Sequence, residues 1–321
     1  MTTAHAATPP PAAGPSPEGA GGGPATVAPV PTPAPRRGAG RRRRSPGRLA
    51  ALPLIVFVLV VFGLPAFAIV TSAFRTAPGA PGGVHWTTGN ITQSVHGAYL
   101  TALWGSVRLS ALTAALGVLL GLPLAHAVVT SRFRALREAV LAASGVLANF
   151  GGVPLAFAFV ATLGNSGELT RALDLTRHGW SLYSFTGLTV VYLYFLVPLM
   201  VLTVTPALEG LRVQWREAAQ NSGATTRQYW THVALPILAP SLLGGFVLLF
   251  GSAFAAYATA AAVVGSSVPL ITLQIANALS GNVLAGQGNV ALALSLDMIV
   301  IAGLVMAAYI PLQRRSARWL H

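Results

Sequence analysis

Six long apolar runs leave this chain few ways to fold. They lie at about 51–73, 104–129, 138–163, 184–207, 237–264 and 289–312, and each reaches the roughly 20 apolar residues a helix needs to cross a bilayer. Composition argues against a water-facing globule: 54% of the 321 residues are hydrophobic and 8% charged, where a soluble domain carries roughly 25% charge. The expected fold class is therefore an all-α integral membrane protein of six spans, with membrane lipid as its main surroundings. Arg108 opens the second run and lies near enough to its end to snorkel.

A formal net charge of +13 raises nucleic acid as a partner. The basic residues are instead scattered between the apolar runs, apart from one patch of seven near the N-terminus. Such a patch reads as the flank of a lipid span, and no nucleic-acid partner is expected. With the N-terminus in the cytoplasm, sixteen arginines fall on the inner side: the N-terminal seven, Arg132, Arg134, Arg137, Arg212, Arg216, Arg227, Arg314, Arg315 and Arg318. Three, Arg75, Arg171 and Arg177, fall outside. The positive-inside rule favours this orientation, so both termini are expected in the cytoplasm.

Residues 1–47 are mostly Ala, Pro and Gly and end in RRGAGRRRRSPGR. They hold too little apolar surface to offset the entropy of ordering and read as a disordered cytoplasmic tail. Residues 48–321 form the transmembrane domain. A secretory signal ending at GLPAFA is the competing reading of the first run. The region before it is too long for a signal and the run exceeds a signal core, so an uncleaved first span is expected.

Two absences narrow the chemistry. The chain has no cysteine, which removes disulfides, thiolate nucleophiles and cysteine metal sites. It also has no lysine, and a phosphate-gripping loop needs its GK[ST] lysine. No cofactor is expected on this chain, and any ATP must be bound by another subunit. The seven histidines show no metal-ligand spacing and no HExxH motif appears. His126 reads as interfacial. His178 and Trp180, in an outer loop, either touch a docking partner or line the membrane surface.

Between the fourth and fifth runs lies EGLRVQWREAAQNSGATTRQYWTHVALP, residues 209–236. Leu211, Val213, Trp215, Ala218 and Ala219 suit a short amphipathic helix, which Gly223 ends because glycine accepts a positive φ. Ala224 to His232 suits a second short helix opened by threonines, and Pro236 fits the first turn of the next span. The stretch is either a plain connection or a docking surface. Connections usually run about 4–6 residues, and this one is several times longer.

The stretch resembles the EAA loop of binding-protein-dependent ABC importer permeases, whose pattern runs EAA, three residues, Gly, nine residues, Ile, one residue, Leu-Pro. Glu217, Ala218, Ala219, Gly223, Leu235 and Pro236 match at that spacing, and Val233 stands where the pattern has isoleucine. A looser likeness runs from the second span to the C-terminus, through SVRLSALTAALGVLLGLPLAHAVV and ANFGGVPLAFAFVATLG. The resemblance implies a six-span type I importer permease in a bacterial cytoplasmic membrane, itself no enzyme. Its implied partners are ABC ATPase subunits, a second permease subunit (a like or different chain) and an extracytoplasmic solute-binding protein. It further implies that the loop is a coupling elbow: Glu217 makes polar contacts to the ATPase, Gly223 permits the bend, Ala218 and Ala219 allow close packing, and Val233, Leu235 and Pro236 lead into the fifth span. A purely geometric role for Ala218, Ala219 and Pro236 is the plainer reading. The ANFGGVPLAFAF segment is similar to subgroups handling polyamines, iron, thiamine or aminoethylphosphonate, and a small polar, polyamine-like solute is the expected cargo.

Asp297, in ALALSLDMIVIAG, is the clearest acid within a span. Such residues usually face the bundle interior or a water-filled path. It either lines the translocation path or serves as a structural hydrogen-bonding group. Gly151-Gly152 before Pro154 either kinks or unwinds the third span, or lets helices pack closely. The competing function is a stand-alone secondary transporter driven by an ion gradient, a class that shows more spans or an inverted repeat. Neither is visible here. A membrane enzyme lacks catalytic equipment in this sequence.

Overall fold

The computed structural model describes residues 52–77, 83–280 and 288–317; the expected disordered tail, residues 1–47, lies outside them. In chain order the helices are α1 Leu52–Ala73, α2 Gly89–Ser94, α3 Gly97–Thr130, α4 Arg134–Asn149, α5 Val153–Leu163, α6 Glu168–Ala172, α7 Phe185–Glu209, α8 Val213–Asn221, α9 Thr226–Phe254, α10 Tyr257–Val263, α11 Ile271–Leu279 and α12 Gly288–Ala317. Among the described residues there is no sheet, and one isolated bridge pairs Arg75 with Trp86.

Five helices, α1, α3, α7, α9 and α12, are long and apolar enough to cross a membrane. The sixth expected span is a broken one. α4 and the segment Val153–Ala172 are bent by 101° at Phe150–Gly152, where Gly152 takes φ 82°. Pro154 follows in the first turn of α5, where no backbone donor is needed. The Gly151-Gly152 pair therefore breaks the run outright, and residues 138–163 do not form one straight span.

α7 is the centre of the bundle, with 61% of its apolar window buried, against none of α1's. It packs on α3, α4 and α9, while α12 packs on α9, α11, α2 and the Leu64–Ala73 part of α1. Lipid tails are as apolar as leucine, so burial alone does not hold such helices together; close backbone approach does. Gly117 and Gly121 lie one turn apart on the buried face of α3. A β-carbon on Gly121 would meet Met200 Cβ of α7 at 2.6 Å, and one on Gly117 would meet Leu249 of α9 at 2.5 Å. Gly245 of α9 presses on the same Met200 from the other side. These small residues let α3, α7 and α9 seat against one another.

One further expectation changes. The fifth span begins at Thr226 and ends at Phe254, not at 237 and 264, and α10 forms separately after a break at Ala255–Ala256. α3 itself starts at Gly97, three turns before Arg108 and seven residues before the expected run. The residues before 104 include polar Thr101 and Gly97, which thin the hydropathy without stopping the helix.

Candidate functional site

The elbow between α7 and α9 is built by local sequence. α8 starts at Val213 and ends in a Schellman turn around Gly223, whose φ is 79°. The Gly223 N–H donates to the Gln220 carbonyl at 2.9 Å and the Ala224 N–H to the Ala219 carbonyl at 3.0 Å, so two otherwise orphaned carbonyls are satisfied. Two residues later a capping box opens α9. The Gln228 N–H donates to Thr225 Oγ1 at 3.3 Å, and the Thr225 N–H donates to Gln228 Oε1 at 2.8 Å. A stop and a start are thus written within Ser222–Gln228, and they fix the angle between α8 and α9.

No separate second elbow helix exists. The turn opened by the threonines runs straight into the span through a π-turn at Trp230–Ala234. There the Leu235 N–H reaches back to the Trp230 carbonyl, so that Pro236, which has no N–H, enters the following α-helical turn without breaking the helix. The expected second helix over 224–232 is the first part of α9 itself.

The predicted residues fall into two groups. Trp215, Ala218, Ala219, Ser222, Val233 and Ile237 line one cleft of about 410 Å³ between α8 and the start of α9, so the two alanines and Val233 share a surface although they lie fourteen or more positions apart. Glu217 points elsewhere: it is exposed and makes no hydrogen bond or ion pair among the described residues. Leu235 and Pro236 are exposed as well. No residue of α8 is buried.

The elbow is anchored on the bundle by contacts that sequence reading did not single out. The Arg137 guanidinium donates to the Glu209 carboxylate, joining α4 to the end of α7. The edge of one ring meets the face of the other where His126 of α3 and Trp230 of α9 lie 4.8 Å apart. Tyr229 is buried beneath the turn. His126, Arg137, Glu209, Arg212, Arg216 and Trp230 border a cavity of about 630 Å³. His126 stands near the C-terminal end of α3.

A second feature lies deeper. The break at Phe150–Gly152 and the break at Ala255–Ala256 are tied together, because Thr259 Oγ1 accepts the Gly152 N–H at 2.8 Å and the Tyr192 hydroxyl donates to the Ala256 carbonyl at 2.8 Å. Irregular backbone at membrane depth survives only where protein or a water-filled cavity satisfies it. Thr259 and Tyr192 supply that here. Only the Gly-Gly pair signalled this from sequence. Asp297 is remote from the elbow: the Ser94 side chain of α2 lies beside its carboxyl group, and its Oδ2 is buried without a hydrogen-bond partner. The Trp180 indole N–H donates to the Leu163 carbonyl at 3.1 Å, closing the end of α5.

Comparison with known proteins agrees with this geometry. Residues 117–318 match the family described as binding-protein-dependent transport system inner membrane component. The chain is 29% identical over 217 residues to the molybdenum transport system permease protein ModB of Mycobacterium tuberculosis, covering 64% of this chain and 76% of that one. It is 28% identical over 214 residues to the maltose/maltodextrin permease protein MalG of Vibrio vulnificus, covering 63% and 68%. A shorter match, 41% over 68 residues, reaches the sulfate permease protein CysT of Salmonella typhimurium, covering 21% and 24%. The same fold occurs in the crystal structure of a bacterial ABC transporter that imports the acidic polysaccharide alginate, with a TM-score of 0.61 at 17% identity over 85% of this chain and 96% of that one.

Proposed function

The chain belongs to the binding-protein-dependent transport system inner membrane components, as a permease subunit of an ABC importer, and from that premise we propose that its elbow is where a separate ATPase subunit docks. The observation that carries this reading is α8: a helix held rigid at its end, with no buried residue and with Glu217 unpartnered. Within this chain nothing repays such rigidity. A partner seated on α8 would find at Glu217 an exposed carboxylate with no hydrogen bond or ion pair among the described residues. The cleft bordered by Ala218, Ala219 and Val233 gives a side chain of that partner somewhere to lodge.

The remaining partners are a second permease subunit, alike or different, and an extracytoplasmic solute-binding protein. The arginine distribution supports an orientation with both termini and the elbow in the cytoplasm. In this scheme ATP-driven closure of the ATPase pulls on α8. The continuous rod of α9 then carries the movement from the elbow into the bundle, as far as the break at Ala255–Ala256. A stand-alone secondary transporter has no use for a rigid unpartnered elbow, and nothing else in the chain favours that alternative. Cargo does not transfer from the relatives, whose names run from molybdenum and sulfate to maltose. None of them supports the polyamine-like solute expected from the ANFGGVPLAFAF segment.

Purification of the tagged full chain from native membranes in mild detergent tests this reading. A P-loop ATPase should co-purify in stoichiometric amount, and a chain that emerges alone under conditions preserving other importer complexes would contradict it.

A further inference from the structure

Arg108 is a charge the elbow leaves unused. It lies eleven residues into α3 from Gly97, which at 1.5 Å per residue is about 16 Å from that end of the helix. Its neighbours along the chain are apolar, and the residue is exposed on the surface of this subunit. At 34 residues α3 is about 51 Å long, against roughly 30 Å of bilayer hydrocarbon, and Arg108 stands level with Tyr183, Ser184 and Phe185 at the start of α7, toward one end of the bundle.

The surroundings of Arg108 form a groove of about 510 Å³ at the end of the bundle opposite the elbow, lined by Thr101, Trp104, Tyr183, Ser184, Phe185 and Ser267 among others. The groove is closely built. A β-carbon on Gly105 would stand 2.4 Å from the Pro269 carbonyl oxygen, and the Ile271 N–H donates to Ser106 Oγ at 2.9 Å, so the loop before α11 is pressed onto α3 beside Arg108. The guanidinium lies over the Phe185 ring with its carbon 5.3 Å from the centroid. Among the described residues no hydrogen bond or ion pair engages its N–H donors, which remain for another partner. No carboxylate lines the groove. Among the described residues the acids with ion pairs serve other arginines: Glu138 pairs with Arg134, Glu209 with Arg137, and Asp174 with Arg177. The N-terminal end of α7 opens into the same groove and adds positive potential, although it would make no site without Arg108.

We propose that this groove is a recognition point for an anionic solute of the oxyanion or carboxylate type, which Arg108 meets with its in-plane donors as the solute enters the path. The proposal rests on the permease reading and names its cargo class. A fork of N–H groups matches two oxygens of such an anion, whereas a polyamine would meet a like charge.

The test uses the full complex, with its ATPase and binding protein, in proteoliposomes. Molybdate, sulfate, phosphate, maltose and spermidine are offered separately, and solute-stimulated ATP hydrolysis is read. One or more of the anions should stimulate hydrolysis, and Arg108→Gln should raise the half-saturating anion concentration about tenfold or more, with Arg108→Lys recovering part of the loss. Thr101→Asp places a carboxylate at the rim of the groove, one helical face-repeat from Arg108. It should produce the same rise without removing the arginine, so the comparison survives an Arg108→Gln protein that fails to assemble. Stimulation by maltose or spermidine alone, no response to any of the anions, or an unchanged half-saturating concentration in these variants would overturn the proposal. Absence of an ATPase from the wild-type preparation would instead count against the permease reading itself.

Discussion

Gly223 separates two roles that a single residue can play in the elbow. Its φ of 79° strains any residue with a β-carbon by about 1–2 kcal/mol, yet an added β-carbon would meet nothing within 4 Å. The demand is therefore on the backbone, and asparagine tolerates that region better than a β-branched residue. Gly223→Asn should keep most solute uptake while Gly223→Val loses it, measured in cells at matched membrane levels; equal loss in both variants would mean that the surface, not the turn, is sensitive. Glu217 makes the complementary case, since it is exposed and unpartnered in this chain. Glu217→Lys should abolish uptake with insertion intact, and full uptake would remove Glu217 from the coupling contact. Asp297 is poised differently, with Ser94 beside it and Oδ2 unsatisfied. Asp297→Asn keeps the shape and hydrogen-bonding capacity while deleting the charge. Unchanged uptake would leave it a structural contact between α12 and α2, and a raised KM would place it on the path.

At the scale of elements, the two broken helices are coupled through one hydroxyl. Thr259→Val removes the acceptor of the Gly152 N–H and leaves a part-buried donor unsatisfied, at a cost of about 1–3 kcal/mol. The detergent-solubilised protein should lose thermal stability and transport together; an unchanged Tm would show that water replaces the hydroxyl. How far such elements can be read from sequence depends on where their determinants lie. The stop at Gly223 and the start at Thr225 were legible because their determinants are local: a glycine, a threonine and a glutamine at fixed offsets. The long spans were legible from hydropathy for the same reason. The meeting of Gly152 with Thr259 was not, because 107 positions separate them and neither residue announces its partner. The π-turn at Trp230–Ala234 was hidden too, since Pro236 reads equally as a helix start or as an interior proline accommodated by a bulge. Ala218 and Ala219 carried a pattern in the sequence, but only the fold shows that Val233 borders the same cleft.

Viewed whole, the subunit has two distinctive ends joined by long helices. At one end α8 stands rigid and uncovered, with an arginine-rich cavity behind it. At the other, Arg108 borders a groove that no carboxylate lines among the described residues. Between them the bundle is seated on the glycines of α3 and α9 around Met200, with the breaks at Phe150–Gly152 and Ala255–Ala256 as its irregular points. In the proposed scheme, movement at α8 would pass along α9, which is continuous from Thr226 to Phe254. The absence of cysteine makes the central claim directly testable, because one introduced thiol is unique in this chain. Gln220→Cys places it on exposed α8 beside Glu217, and Leu119→Cys places a control on an exposed position within α3. In native membranes a thiol-to-amine crosslinker should join the Gln220→Cys chain to an ATPase subunit, in a yield that changes with ATP, and should leave the Leu119→Cys chain free. A Gln220→Cys thiol that labels readily in the intact complex yet never crosslinks to an ATPase would contradict the docking of that subunit on the elbow.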